Sequence, residues 1–372
     1  GAYPMEILSE LFSNALSFTW QQALMLLIGG LLIFLAIRRE MEPALLLPMG
    51  FGAILVNLPG VHTEAIETLF TAGIASELFP LLLFIGIGAM IDFGPLLANP
   101  RMLLFGAAAQ FGIFFTLVVA AAVGFGLTDA ASAAIIAAAD GPTSIYVANY
   151  FHSRYQGAIM VAAYSYMALV PIIQPPIIRA VTTKRERMIR MEYAPGAVSR
   201  ATRILFPILV TAVAGAVAPK SAELIGFLMF GNLIRECGVL DSLSQSAQHE
   251  LANLITLLLG LSVSFQMKAE QFVTWETLLI LGLGLVGFVF DTVGGVLFAK
   301  VLNLFSRKKV NPMIGAAGIS AFPMASRVVH RLGQEEDPYN FLLMHAAGAN
   351  VAGQIASVIA GGLIITLVEN LL

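Results

Sequence analysis

MLLFGAAAQFGIFFTLVVAAAVGFG, Met102 to Gly126, is a run of 25 residues without a single charge. About 20 helical residues cross a hydrocarbon layer of about 30 Å, because each residue rises about 1.5 Å. This stretch therefore reads as a membrane-spanning helix. Working outward, Gln22 to Ile37, Leu205 to Ala218, Thr277 to Phe298 and Gly353 to Val368 are further long apolar stretches. The whole chain of 372 residues is 58% hydrophobic and 12% charged, against about 25% charged in a soluble domain, whose surface needs those groups. The expectation is an all-α polytopic membrane protein of about ten transmembrane helices. Broken or re-entrant segments are expected in an inverted repeat, with core and scaffold parts.

Charge and punctuation set the organisation. Seven basic residues lie between Arg179 and Arg203, and Lys300, Arg307, Lys308 and Lys309 form a second cluster. Short basic loops stay cytoplasmic, so both are expected inside. In so apolar a chain they do not read as a nucleic-acid surface. An amphipathic start is expected over Met5 to Phe18. Residues 1–80 read as N-terminal scaffold helices, 81–180 as a first repeat half, 181–203 as the basic cytoplasmic loop, 204–256 as linking scaffold helices and 257–372 as a second repeat half. The repeat is one of hydropathy and interruption: Leu83-Phe84-Ile85-Gly86-Ile87-Gly88 answers Leu258-Leu259-Gly260-Leu261-Ser262. Interrupted segments at corresponding places point to a transporter's binding site. Cys237 is the only cysteine, so no intrachain disulfide forms. No G-x-x-x-x-G-K-[ST] run is present, which excludes the usual nucleotide-driven class.

Two broken segments carry the chemistry. In Ala137-Ala-Ala-Asp140-Gly141-Pro142-Thr143-Ser144, proline removes a donor and clashes with the preceding turn, so the helix breaks. The break frees carbonyl oxygens beside a carboxylate and two hydroxyls, the oxygen ligands that hard cations prefer. A Na⁺ or proton site fits; the alternative is a helix-end Asp140 that only caps the helix from Gly141 onward. The second segment runs from Asn311-Pro312 through Gly315, Gly318, Ser320 and Pro323 to Arg327. It offers Asn311 and Ser320 as oxygen donors and Arg327 as a planar fork suited to a carboxylate. Arg327 reads as a partner for Asp140, as a holder of an anionic substrate, or as a residue reaching for the interface.

These residues carry a resemblance. Asp140-Gly-Pro-Thr-Ser-Ile-Tyr, Ala-Ala-Tyr164-Ser-Tyr166-Met-Ala-Leu-Val-Pro171, Gly231-Asn-Leu-Ile-Arg-Glu-Cys-Gly238 and Asn311 through Arg327 closely resemble the β subunit of the biotin-dependent, sodium-pumping decarboxylases. The resemblance runs from about Leu81 to the C-terminus. It implies a membrane subunit in a bacterial or archaeal cytoplasmic membrane, which decarboxylates carboxybiotin and exports Na⁺ while a proton is consumed. It implies partners as well: a carboxyltransferase and biotin-carrier α subunit, a small single-span γ subunit, membrane lipids and further copies of this chain. The biotin would then arrive on another chain, with none attached covalently here. Carried over residue by residue, it gives Asp140, Tyr166 and Arg327 as catalytic. It gives Asp140, Asn311, Gly315, Ser320 and Tyr166 as Na⁺ ligands, and Arg327 with Asn311 at carboxybiotin. The N-terminal portion looks short beside the oxaloacetate versions, which leans toward an acyl-CoA type. The rival expectations are a stand-alone Na⁺-coupled symporter or antiporter without chemistry, and a non-catalytic membrane scaffold.

Overall fold

A computed structural model describes residues 12–13, 17–193, 196 and 198–372; the amphipathic start expected over Met5–Phe18 lies for the most part outside them. Every regular element among the described residues is helical. In chain order the main helices are α1 (Trp20–Arg39), α2 (Pro43–Val56), α3 (Glu64–Leu69), α4 (Leu78–Met90), α5 (Met102–Ala108), α6 (Phe111–Val123), α7 (Leu127–Ala134) and α8 (Gly141–Tyr150). They continue with α9 (Gln156–Val181), α10 (Arg200–Val217), α11 (Ala222–Glu236), α12 (Asp241–Met267), α13 (Trp275–Phe305), α14 (Met313–Ala316), α15 (Met324–Glu336) and α16 (Leu343–Leu371).

The expected ten spans must be corrected. Among the described residues seven helices are long and apolar enough to cross a membrane, or up to eight if the bent pair Glu64–Ala75 and Leu78–Met90, which meet at 63°, is one span. The difference has a physical cause. Apolar runs such as Met313 to Met324 and Leu127 to Ala138 are interrupted by glycine, proline or a left-handed residue before they reach spanning length. The run Met102–Gly126 is itself two helices, with a turn at Ala109–Gln110 where Gln110 folds its Nε2 back onto Gly106 O at 2.8 Å.

The chain divides into two compact units, one of Gly1–Phe79 with Asn253–Leu278 and one of Pro80–Ala252 with Leu279–Leu372. In the first, α1 begins at a reciprocal cap between Thr19 and Gln22 and ends at Arg38 and Arg39. Its last turn thus sets cations where helix carbonyls are unpaired. Asn57, buried at the end of α2, donates to Met267 O at 2.8 Å and accepts from Ala269 N at 2.7 Å. One amide side chain thereby ties the end of α12 to α2.

The second unit holds both broken segments. Buried amide side chains again replace missing backbone bonds, as they must where no water reaches. Asn232 of α11 donates to Ile91 O at 2.9 Å just past the end of α4. On α7, α8, α14 and α16 many of the buried residues are alanine and glycine, small residues that let helix backbones approach without a hydrophobic drive.

Candidate ion site between two broken helices

The first break forms as its residues dictate. Helix α7 tightens into a 3₁₀ turn over Ile135–Ala138, and Ala139 then adopts a left-handed conformation at φ 51°. A left-handed L-residue costs about 1–2 kcal/mol, and such local strain collects at functional sites. Asp140 is extended, at φ −115° and ψ 92°, and stands as the cap of α8, with Pro142 in its first turn. A carboxylate at a helix N-terminus meets unpaired N–H groups and the positive end of the dipole. Here Oδ1 accepts from Thr143 N at 3.1 Å.

The capping role does not exhaust Asp140. Its side chain is 3% exposed, and three hydroxyl groups converge on Oδ2: Thr143 Oγ1 at 2.8 Å, Ser320 Oγ at 3.0 Å and Ser357 Oγ at 2.6 Å. Ser144 Oγ donates to Asp140 O at 2.7 Å. These donors come from three separate parts of the chain: α8, the second break and α16. A main-chain bond of 3.2 Å from Ser320 N to Ala138 O joins the two breaks directly.

The second break is held by side-chain amides. After the single turn of α14 the chain leaves helical form through Ile319–Ala321. Asn350 Nδ2 donates to Ile319 O at 2.8 Å, and Gln174 Nε2 donates to Ala316 O at 2.8 Å. Gly315 lies face to face with Gly295 of α13, so that a Cβ on Gly315 would stand 1.9 Å from Gly295 O. The backbones touch because neither residue has a side chain.

The structure brings together only some of the residues read from the sequence. Asp140 and Ser320 are in direct contact. Tyr166 donates its hydroxyl to Leu281 O at 2.5 Å. Asn311 is buried and spends its amide elsewhere: Nδ2 donates to Arg187 O and Ile189 O, both at 2.9 Å, and Oδ1 accepts from Met313 N at 3.1 Å. Arg327 sits in the first turn of α15 with an exposed side chain and has no ion pair among the described residues. Sequence reasoning missed two residues. Ser357 completes the hydroxyl triad. The ring of Tyr164 packs against Gly141, where a Cβ would meet it at 2.3 Å, and its buried hydroxyl has no hydrogen-bond partner among the described residues. Tyr164 was legible as an aromatic in the Tyr-Ser-Tyr motif; Ser357 carried no local signal.

Fold and site together define a polytopic membrane protein with a buried single-carboxylate centre between two interrupted helices. Residues 21–368 match the family of the Na⁺-transporting oxaloacetate decarboxylase beta subunit. The chain is 48% identical to the glutaconyl-CoA decarboxylase subunit beta of Acidaminococcus fermentans and to the methylmalonyl-CoA decarboxylase subunit beta of Veillonella parvula, over 96% of each chain in both cases. It is 44% identical to the oxaloacetate decarboxylase beta chain of Klebsiella pneumoniae, over 93% of this chain and 95% of that one. The chain belongs to the beta-subunit family of the sodium-transporting decarboxylases. The relatives therefore favour a decarboxylase subunit over a stand-alone symporter.

Proposed function

We propose that this chain is the membrane subunit that releases CO₂ from carboxybiotin presented by a partner subunit and couples that release to Na⁺ export. In the reaction the N–CO₂⁻ bond of carboxybiotin breaks. Its electron pair stays on the ureido nitrogen, which takes up the consumed proton. The observation that carries the reading is the buried contact of Ser320 Oγ with Asp140 Oδ2 at 3.0 Å, between two segments that each interrupt regular helix.

A serine or threonine hydroxyl has one donor hydrogen and two acceptor lone pairs. Without a cation, Thr143, Ser320 and Ser357 donate to the bare carboxylate. With Na⁺ beside Oδ2, the same three oxygens turn their lone pairs to the ion. The centre is thus satisfied in both conditions, which a buried ionisable group at this depth requires. Carrying one charge against 100 mV takes about 2.3 kcal/mol, so export must be tied to the downhill loss of CO₂. Coupling then requires Na⁺ to bind the inward and outward states with different affinity.

The finer assignments rest on the family resemblance. Asn311, Gly315 and Tyr166 complete the ion path, with Tyr166 or Asp140 passing the proton. Arg327, exposed and without an ion pair among the described residues, orients the carboxybiotin carboxylate. The repeat halves at 81–180 and 257–372 carry the ion path in their broken helices, and residues 1–80 and 204–256 act as scaffold. The partners are a biotin-bearing α subunit and a small γ subunit, with several copies of this chain in one complex in a cytoplasmic membrane. The higher identity to the two acyl-CoA decarboxylase subunits favours an acyl-CoA substrate for the complex. The test is Asp140→Asn in proteoliposomes supplied with carboxybiotin. Loss of Na⁺ uptake is expected, and undiminished uptake refutes the central role of Asp140. A streptavidin-reactive partner should co-purify with the chain.

A further inference from the structure

A cavity of about 980 Å³ lies in the second unit, away from the Asp140 centre. Its walls come from the start of α5, the loop around Ile189–Glu192 and the turn that follows α13. Arg101, Arg307, Lys308 and Lys309 give it a strongly basic rim. Glu192 is the acidic residue of the lining, and Arg190 is already neutralised by Asp337, at 2.5 Å from Nε. Arg101, Arg307 and Lys308 form no ion pair among the described residues, and all three are exposed.

Two features separate this cavity from an ordinary solvated basic turn. The turn is built. Asn303 donates to Val310 O and accepts from Val310 N, both at 2.7 Å, Ser306 Oγ donates to Lys308 O at 2.6 Å, and Lys309 Nζ donates to Asn303 O at 2.5 Å. The backbone that carries the three consecutive basic residues is thereby fixed at the end of a membrane-spanning helix. The lining is also amphipathic. Leu104 and Phe305 line the cavity and remain 50% and 85% exposed, and Leu304, next to Phe305 in the chain, is 78% exposed. Arg101 precedes the span that begins at Met102, and the basic triplet follows the span that ends at Phe305, so the cationic rim lies at the membrane interface and the apolar wall leads into the bilayer.

We propose that this cavity binds the headgroup of an anionic phospholipid, its phosphodiester held by Arg101, Arg307 and Lys308 and its acyl chains lying along Leu104, Leu304 and Phe305. Basic residues at a membrane interface attract anionic headgroups. The exposed apolar wall favours a lipid over free phosphate, which has no use for it. An acidic protein segment would meet the same cations but would leave Leu304 and Phe305 in contact with the bilayer.

The test uses the purified full chain. Native mass spectrometry would follow phosphatidylglycerol retained through detergent exchange. Thermal unfolding would be recorded with added phosphatidylglycerol, phosphatidylcholine or inorganic phosphate. Retention and a rise in unfolding temperature are expected with phosphatidylglycerol alone. Each basic residue removed, in R101Q or in the double variant R307Q/K308Q, should weaken binding about fivefold. R38Q/R39Q, at the end of α1, serves as a control that should bind normally. Equal stabilisation by phosphatidylcholine or inorganic phosphate overturns the proposal, as does undiminished retention in both R101Q and the double variant.

Discussion

The hydroxyl of Ser357, in the middle of the 29-residue helix α16, donates a 2.6 Å hydrogen bond to Asp140 Oδ2. An intact helix thereby takes part in a centre otherwise made of broken ones. In the proposed ion-bound centre the same oxygen turns to Na⁺, so Ser357→Ala removes one ligand of the ion. The lost ligand should lower Na⁺ affinity about tenfold, a factor of ten being about 1.4 kcal/mol, while the chain still folds. The Na⁺ dependence of decarboxylation by the assembled complex would show this as a raised half-saturation concentration. Ser320→Ala should behave similarly, because the Ser320 N to Ala138 O bond does not need the side chain.

Close backbone contact gives a second expectation. A methyl group on Gly295 would stand 2.1 Å from Gly315 O, and one on Gly315 would stand 1.9 Å from Gly295 O. Neither neighbour is a flexible side chain, so α13 and α14 must separate. Overpacking of this kind costs about 1–3 kcal/mol or more. Gly295→Ala and Gly315→Ala should both lower the unfolding temperature in detergent. Gly282→Ala, on the same helix with nothing within 4 Å, should be neutral or slightly stabilising, since alanine is the better helix former. Equal behaviour of the three would show that the contact is not felt.

How much of this was legible follows from where the signals sit. Asp140 and Ser320 announced themselves because glycine and proline interrupt apolar runs beside them, and interruption at membrane depth demands a polar lining. Ser357 gave no such warning. Its helix runs unbroken from Leu343 to Leu371, and a serine in a small-residue stretch reads as packing. Asn311 shows the opposite case. The Asn-Pro pair marked a break correctly, yet the side chain turns toward the carbonyls of Arg187 and Ile189, because a loop distant in sequence needs donors there. The excess of expected spans has the same root. Hydropathy counts apolar length, whereas the left-handed Ala139 and the non-helical Ile319–Ala321 are set by tertiary contacts to Ser320, Asn350 and α16.

The pairing of Asp337 with Arg190 sets a pH dependence outside the membrane spans. Arg190 donates to Asp337 from Nε at 2.5 Å and Nη2 at 3.0 Å, and Tyr339 N adds a third bond at 3.1 Å. The guanidinium, first among these causes, holds the Asp337 carboxyl below its usual range. A carboxyl depressed in the folded state contributes stability that is complete above the unfolded value, about pH 4. That contribution is lost as pH falls through the folded value. Protection of residues 187–193 in hydrogen exchange, corrected for intrinsic rates, should be flat from neutral pH to about pH 4 and then fall. Asp337→Asn should show weaker protection throughout and no such fall; an unchanged profile would remove the pair from the account.

Asn311 allows a pinning role and a direct ion-ligand role to be told apart. Its amide donates to Arg187 O and Ile189 O, and Asn340 Nδ2 reaches the same two carbonyls at 3.1 and 3.3 Å. The loop is thus fastened twice. Asn311→Ala leaves Met313 N and part of the loop unsatisfied, at about 1–3 kcal/mol for each buried group left unpaired, but Asn340 still holds it. Tryptic cleavage after Arg187 or Arg190 should therefore quicken modestly in Asn311→Ala and strongly in the double variant with Asn340→Ala. Asn311→Asp keeps the acceptor for Met313 N but loses both donors, so it should loosen the loop as Asn311→Ala does. If Asn311 is instead a direct ligand with no part in holding the loop, Asn311→Asp would retain or strengthen Na⁺ binding while Asn311→Ala loses it, and cleavage of the loop in both variants would stay at the wild-type rate.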